Sequence, residues 1–311
     1  MKIESLKACS SYLDCNEKKS VLFTKKGYPI LECDRCGHRY IKIPDQNNHL
    51  STVYADDYFF AGKDGYPNYL KQKDLLYKHG LRYAKLIGKY TEPGRLLDVG
   101  SAAGFILKGF KDSGWKCSGI EPNMTMASYG RMELNLDIQA GSLEDFESPK
   151  KFDVVNMIQV IGHFYDVDRA LDNVSRLLKP SGLVLVESWN MKSAVARILG
   201  KRWHEYSPPS VTHWYSDKTL NTLFSKHGFQ LIDKGYPLKK INIEHAFSFL
   251  QEKIDNPVFR QIVGSISRFA GKFPIIYPLL DVKWYIFQKS NMDVFHGRTE
   301  KTYSKELGSQ K

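Results

Sequence analysis

Arg95-Leu96-Leu97-Asp98-Val99-Gly100-Ser101-Ala102-Ala103-Gly104 is the stretch on which the fold turns, and Gly119-Ile120-Glu121-Pro122 answers it one helix length later. An apolar run ends in an acid, and a turn of small residues then opens a helical pattern. A second strand follows and ends in a second acid. Strand, turn, helix and strand make a βαβ unit, which holds nucleotides at the carboxyl end of a parallel sheet. The spacing rejects a dinucleotide: Gly-x-Gly-x-x-Gly would need glycines where Ala102 and Phe105 stand. Asp98 also sets a carboxylate beside the turn, where it would repel a pyrophosphate. A ligand with an adenosyl group and a positive charge suits this turn better.

The pattern resembles the first motif of the class I S-adenosylmethionine-dependent methyltransferases, acid-x-Gly-x-Gly/Ala-x-Gly, met here by Asp98, Gly100, Ala102 and Gly104. Ala102 stands where Gly is more usual. The resemblance implies that Gly100 lets the backbone approach the methionine part of the cofactor, since a side chain there would collide with it. It places Asp98 near the ammonium and sulfonium end. Glu121, with Pro122 beside it, would accept hydrogen bonds from both ribose hydroxyls. Gly141-Ser142-Leu143-Glu144-Asp145 looks like the family's adenine-side turn, with Ser142 and Leu143 flanking the base. The implied fold is α/β and Rossmann-like, a mostly parallel seven-stranded sheet with an antiparallel last strand.

The remaining elements follow in the expected order. A short third strand is predicted near 136–139, and Phe152–Ile158 is nearly continuous in apolar residues, as a central parallel strand should be. Val167, Ala170, Leu171, Val174, Leu177 and Leu178 keep helical spacing. That helix stops at Lys179-Pro180-Ser181-Gly182, part of the family's Leu-Lys-Pro-x-Gly turn, and 183–187 supplies a fifth strand. A helix at 217–227 and a last, antiparallel strand at 281–289 complete the sheet.

A chain of 311 residues with 42% hydrophobic content can bury a full core and suggests one large domain plus an accessory piece. No apolar stretch approaches the roughly 20 residues that span a bilayer. The N-terminus, Met1-Lys2-Ile3-Glu4-Ser5-Leu6-Lys7, lacks the apolar core of a secretion signal, so a cytoplasmic protein is expected. The net charge of +11 invites nucleic acid. The basic residues are nevertheless scattered (Lys18-Lys19, Lys25-Lys26, Lys150-Lys151, Lys201-Arg202, Lys239-Lys240), as on a solvated surface. RNA remains the alternative acceptor.

Of the 5 cysteines, Cys117 falls in a predicted strand and reads as a small core residue, while Cys9, Cys15, Cys33 and Cys36 crowd the N-terminus. Cys33-Asp34-Arg35-Cys36-Gly37 is a knuckle whose two thiolates can bite one tetrahedral metal. The segment resembles the zinc-binding module that opens many sugar and polysaccharide-cluster methyltransferases. Gly27-Tyr28 before the knuckle and Tyr54-Ala55-Asp56-Asp57-Tyr58-Phe59 after it fit that layout. The resemblance implies a structural zinc held by Cys9, Cys15, Cys33 and Cys36. Tyr12 stands where the first knuckle's partner to Cys15 belongs. Cys9 across a longer loop or His38 then completes the site, or the site is empty. The expected layout is a zinc module at 1–48, a helical connector or lid at 49–92, the cofactor-binding domain at 93–290 with a helical insert near 240–280, and a mobile tail from 291.

The acceptor is the least legible part. The run 203–216, Trp-His-Glu-Tyr-Ser-Pro-Pro-Ser-Val-Thr-His-Trp-Tyr-Ser, resembles a segment of the same polysaccharide-linked enzymes. Its aromatics either stack on a sugar ring or pack as a lid. This points to a sugar, or a nucleotide- or lipid-linked glycan intermediate, as the small-molecule acceptor. The cofactor's sulfonium already activates the methyl group, so alignment supplies much of the catalysis. An acceptor hydroxyl or amine must still lose a proton, and His163 and His213 are the candidate bases. Relatives usually carry Glu-His at 162–163, where this chain has Gly162. A non-catalytic cofactor-binding or interaction protein is the remaining alternative.

Overall fold

A computed structural model describes residues 19–43, 46–61, 68–242, 274–278 and 281–290. It opens with strands β1 (Lys19–Lys25), β2 (Tyr28–Cys33) and β3 (Arg39–Tyr40), then helices α1 (Gln46–Val53), α2 (Asp56–Phe60) and α3 (Lys73–Ile87). Strands and helices next alternate: β4 (Arg95–Val99), α4 (Phe105–Asp112), β5 (Lys116–Glu121), α5 (Met124–Leu134), β6 (Ile138–Ala140), β7 (Phe152–Ile158), α6 (Val167–Leu177) and β8 (Leu178–Trp189). The remainder is α7 (Ala194–Leu199), β9 (His213–Trp214), α8 (Asp217–Lys226), β10 (Phe229–Gly235), β11 (Leu238–Asn242), β12 (Pro274–Pro278) and β13 (Val282–Lys289).

The alternating section forms a sheet in the order β10-β13-β8-β7-β4-β5-β6. β4 pairs in parallel with both β5 and β7, whereas β13 runs antiparallel between β8 and β10. The expected sheet is therefore the observed one. Order reverses at β4, and such a switch point opens a crevice beyond the carboxyl ends of the strands. Period-two alternation sorts each strand's residues between two cores. Leu97, Val155, Met157, Val184 and Val186 face one cluster with α6 and α8. Leu96, Val154, Leu183 and Leu185 face the other, with Tyr83 and Ile87 of α3 and Phe110 of α4. Each fully buried aliphatic contributes about 1.5–3 kcal/mol relative to exposure. Helix starts are set by short polar caps: Asn123 accepts from the Met126 amide, Asp166 from the Arg169 amide, and Ser216 forms a capping box with Thr219.

A second sheet has the order β1-β2-β3-β9. Its last strand comes from the aromatic run that sequence pattern places on a loop. The Ile41 amide donates to the Thr212 carbonyl (2.9 Å), and Arg39 and Tyr40 pair with Trp214 and His213. The N-terminal piece is thus completed by residues far along the chain. Trp203, Tyr206 and Trp214 are buried with Ile30, Ile41 and Met191, so these aromatics are core and do not stack on a ligand. β11 and β12 pair antiparallel, so the segment expected to be helical near 240–280 carries strands at its ends. Its helical pattern (Phe247, Leu250, Ile254, Ile262, Ile266, Phe269) lies outside the described residues, as does the tail from 291. Among the described residues, no helix is long and apolar enough to cross a membrane.

Candidate active site

The turn after β4 is built as its small residues require. Gly100 has φ +65°, and a Cβ there would lie 2.8 Å from Val160 Cγ2. Ala102 also sits in the left-handed region (φ 47°), where a non-glycine residue is strained. Its amide donates to Glu121 Oε2 (2.8 Å), while Glu121 Oε1 accepts from the Asn123 amide (2.8 Å). The acid that ends β5 therefore braces the turn that follows β4. Asp98, also buried, accepts from Asn156 Nδ2 (2.6 Å).

A cavity of about 420 Å³ opens at this end of the sheet. Asp98, Gly100, Ala102, Glu121, Pro122, Ser142, Leu143 and His163 line it, so most of the sequence-predicted site is brought together. Gly104 and His213 are not in its wall. Gly104, at φ +83°, starts α4, and a Cβ there would meet Leu136 Cδ1 at 2.5 Å; it lets helix and sheet pack closely.

Five carboxylates line the cavity, Asp98, Glu121, Glu144, Glu187 and Glu205, and among the described residues the wall carries no Lys or Arg. Burial pushes Asp98, Glu121 and Glu144 each up to about 7, and Glu205 up to about 8 with added repulsion from Asp281. Glu187 accepts from the Tyr83 hydroxyl and from Gln159 Nε2. Such a cavity favours a cation and disfavours an anion. Sequence reading missed Glu144, Glu187 and Glu205. Glu187 ends the predicted fifth strand, so the rule that finds Asp98 and Glu121 would have found it. Glu205 sits in a loop and carries no such signal.

On the far wall, His163 Nδ1 lies 2.7 Å from the Ser210 carbonyl and 2.9 Å from the Tyr54 hydroxyl, which itself donates to Ser210 O (2.7 Å). A carbonyl only accepts, so the proton is on Nδ1 and Nε2 carries the lone pair. Burial lowers the ring to about 4. Gly162 has a physical reason as well. Its carbonyl accepts from the Thr212 and His213 amides (2.8 and 3.0 Å), and a Cβ there would lie 3.0 Å from His213 O. His213 instead pairs with His38 (Nδ1 to Nε2, 3.1 Å), and burial holds its ring far below the usual histidine range. It lines a small side pocket of about 20 Å³.

The Tyr54–Phe59 run closes the cavity over the cofactor motifs. Asn123 Nδ2 donates to Tyr54 O and Asp56 Oδ1 (2.9 Å each), and Thr125 Oγ1 donates to Asp56 Oδ2 (3.1 Å).

At the knuckle, the Gly37 amide donates to Cys33 O (2.8 Å) and the Cys33 amide to His38 O (2.9 Å), with Cys36 packed against buried Cys33. His38, the alternative fourth ligand, turns its Nε2 to His213. Cys9 and Cys15 lie outside the described residues, and among those described no group of three His, Cys, Asp or Glu side chains converges as a metal site requires.

A family model described as a methyltransferase domain matches residues 69–234, more than half of the chain. The chain belongs to this methyltransferase family. The chain is 30% identical over 126 residues to a ubiquinone biosynthesis O-methyltransferase of Rhodopseudomonas palustris, covering 38% of this chain and 50% of that protein. It is 30% identical over 152 residues to the protein of the same name from Brucella anthropi, covering 45% and 61%. It thus spans about half the length of the curated relatives it matches. Among solved structures, the magnesium protoporphyrin IX methyltransferase of Synechocystis PCC 6803 with bound S-adenosylhomocysteine superposes with a TM-score of 0.50 at 12% identity. That match covers 77% of this chain and 100% of that chain, and it shows a shared fold.

Proposed function

We propose that the protein transfers the methyl group of S-adenosylmethionine to a hydroxyl of a small molecule that carries no phosphate. The observation that carries this reading is the set of five carboxylates around one cavity at the switch point of the sheet. The residues fit the cofactor. Its ammonium and sulfonium charges match Asp98, its ribose hydroxyls match the spare lone pairs of Glu121 beside Pro122, and Gly100 and Ala102 offer a close backbone approach. Ser142 and Leu143 stand ready to flank the adenine. When bound, the cofactor supplies an activated methyl group; the protein aligns the acceptor with it and excludes water.

The acceptor class follows from charge. Phosphate or pyrophosphate among those carboxylates would be repelled, which disfavours RNA and the nucleotide- or lipid-linked glycans. A free sugar ring or another neutral hydroxyl compound remains compatible. The relatives' name, O-methyltransferase, supports oxygen as the atom methylated. His163, with its Nε2 lone pair, is suited to accept a hydrogen bond from the acceptor.

The test is transfer from tritiated S-adenosylmethionine into a cell-extract filtrate, followed by identification of the labelled compound. An O-methylated compound without phosphate is expected. Label in RNA or in a phosphorylated compound would overturn the acceptor class, and preferential binding of a dinucleotide in calorimetry would overturn the cofactor.

A further inference from the structure

Four of the cavity's carboxylates are held by hydrogen-bond donors: Asp98 by Asn156, Glu121 by two amides, Glu144 by the Tyr165 amide and Glu187 by Tyr83 and Gln159. Glu205 is different. Among the described residues its carboxylate meets only His204 Nε2, at 3.5 Å, and it is 15% exposed. Its backbone is nevertheless fixed: the Glu205 carbonyl accepts from Trp214 Nε1 (2.6 Å) and from the Ser207 amide (2.7 Å). Neighbouring Trp203 and Tyr206 are anchored in the core. The result is a braced loop that presents a carboxylate without a hydrogen-bond donor among the described residues to the main cavity and to the side pocket it shares with His163 and His213.

We propose that Glu205 is the base of the reaction, taking the acceptor's proton as the methyl group is transferred, with His204 passing that proton to solvent. This rests on the methyltransferase reading above. In the step, the acceptor oxygen forms a bond to the methyl carbon and the carbon–sulfur bond breaks, its electron pair staying on sulfur to leave neutral S-adenosylhomocysteine. The hydroxyl proton goes to a Glu205 oxygen and then to His204 Nε2, whose side chain is 42% exposed. The charged or titratable groups around Glu205 are Asp281, which repels it, His204 at contact distance, and Glu187, His163 and His213 along the shared walls. Burial and Asp281 raise its proton affinity toward the working pH, where a general base is most effective. His163 is lowered by burial and is the poorer base; its part is to orient the hydroxyl.

The sign of the pH dependence follows. The deprotonated carboxylate is the active form, so the rate rises with pH and levels off once Glu205 is ionised. The experiment measures transfer from tritiated cofactor into the cell-extract filtrate by wild type, Glu205→Gln and Glu205→Asp, from about pH 6 to 9. Glu205→Gln is expected to bind S-adenosylmethionine as wild type does, to lose about 100-fold or more in rate, and to lack the ascending limb. Glu205→Asp should restore that limb and part of the rate. A Glu205→Gln enzyme with wild-type rate and limb would overturn the proposal, as would one whose rate falls only in step with cofactor affinity. Wild type that labels nothing would instead overturn the function on which the proposal rests.

Discussion

The two walls of one cavity are built in different ways. On the proposed cofactor side some partners are close in sequence: Glu121 accepts from the amides of Asn123 and Ala102, 2 and 19 positions away, while Asp98 accepts from Asn156 across 58. On the acceptor side Tyr54 meets His163 across 109 positions and Ser210 across 156. That side also depends on the second sheet, because β9 and the buried aromatics hold the 203–214 segment in place. The part of a wall made within one βαβ unit is encoded by spacing. A wall made from three distant segments is encoded by packing.

The strongest test of this contrast is Glu121→Ala. It removes the proposed ribose partner and leaves two amides without their acceptor, at about 1–3 kcal/mol each. Calorimetry should show S-adenosylmethionine binding weakened about 100-fold or more, with chemical denaturation showing lost stability. A change under about threefold would break the assignment of the cofactor wall. Tyr54→Phe probes the other wall. Losing one hydroxyl worth about 0.5–1.5 kcal/mol should raise the acceptor KM about 2- to 10-fold while the cofactor Kd stays put. If both constants move together, the two walls are not energetically separate. Ala102→Gly should have the smallest effect. Relief of left-handed strain, about 1–2 kcal/mol, opposes loss of one buried methyl, about 0.8 kcal/mol. The net stability change in urea should stay within about 1 kcal/mol, and a larger loss would mean that the methyl packs more than its position implies.

Much of the methyltransferase domain was legible, and the reason is local. β7 begins and ends where its apolar run does, α6 starts behind its Asp166 cap, and Asp98 and Glu121 stand at strand ends as their positions require. Sequence reading failed where side-chain chemistry was right and direction was not. Trp203, Tyr206 and Trp214 have the composition of a ligand-stacking loop, but they turn inward to complete a core shared with β2. His213 has the composition of a base, but it is spent on His38. Gly162, which looks like a lost acid, is the glycine that lets β9 pass.

The sequence by itself located the strands and helices of the α/β core and the two acids, Asp98 and Glu121, at the ends of β4 and β5. Each of these depends on residues within a few turns of one another, and periodicity and spacing record such relations directly. Only the tertiary structure decided that the aromatics face the core, that His163 keeps its Nε2 lone pair, and that Glu205 enters the cavity with no hydrogen-bond donor among the described residues. Those outcomes depend on which distant segments meet, and that is settled by long-range burial and hydrogen-bond partners that no local spacing encodes.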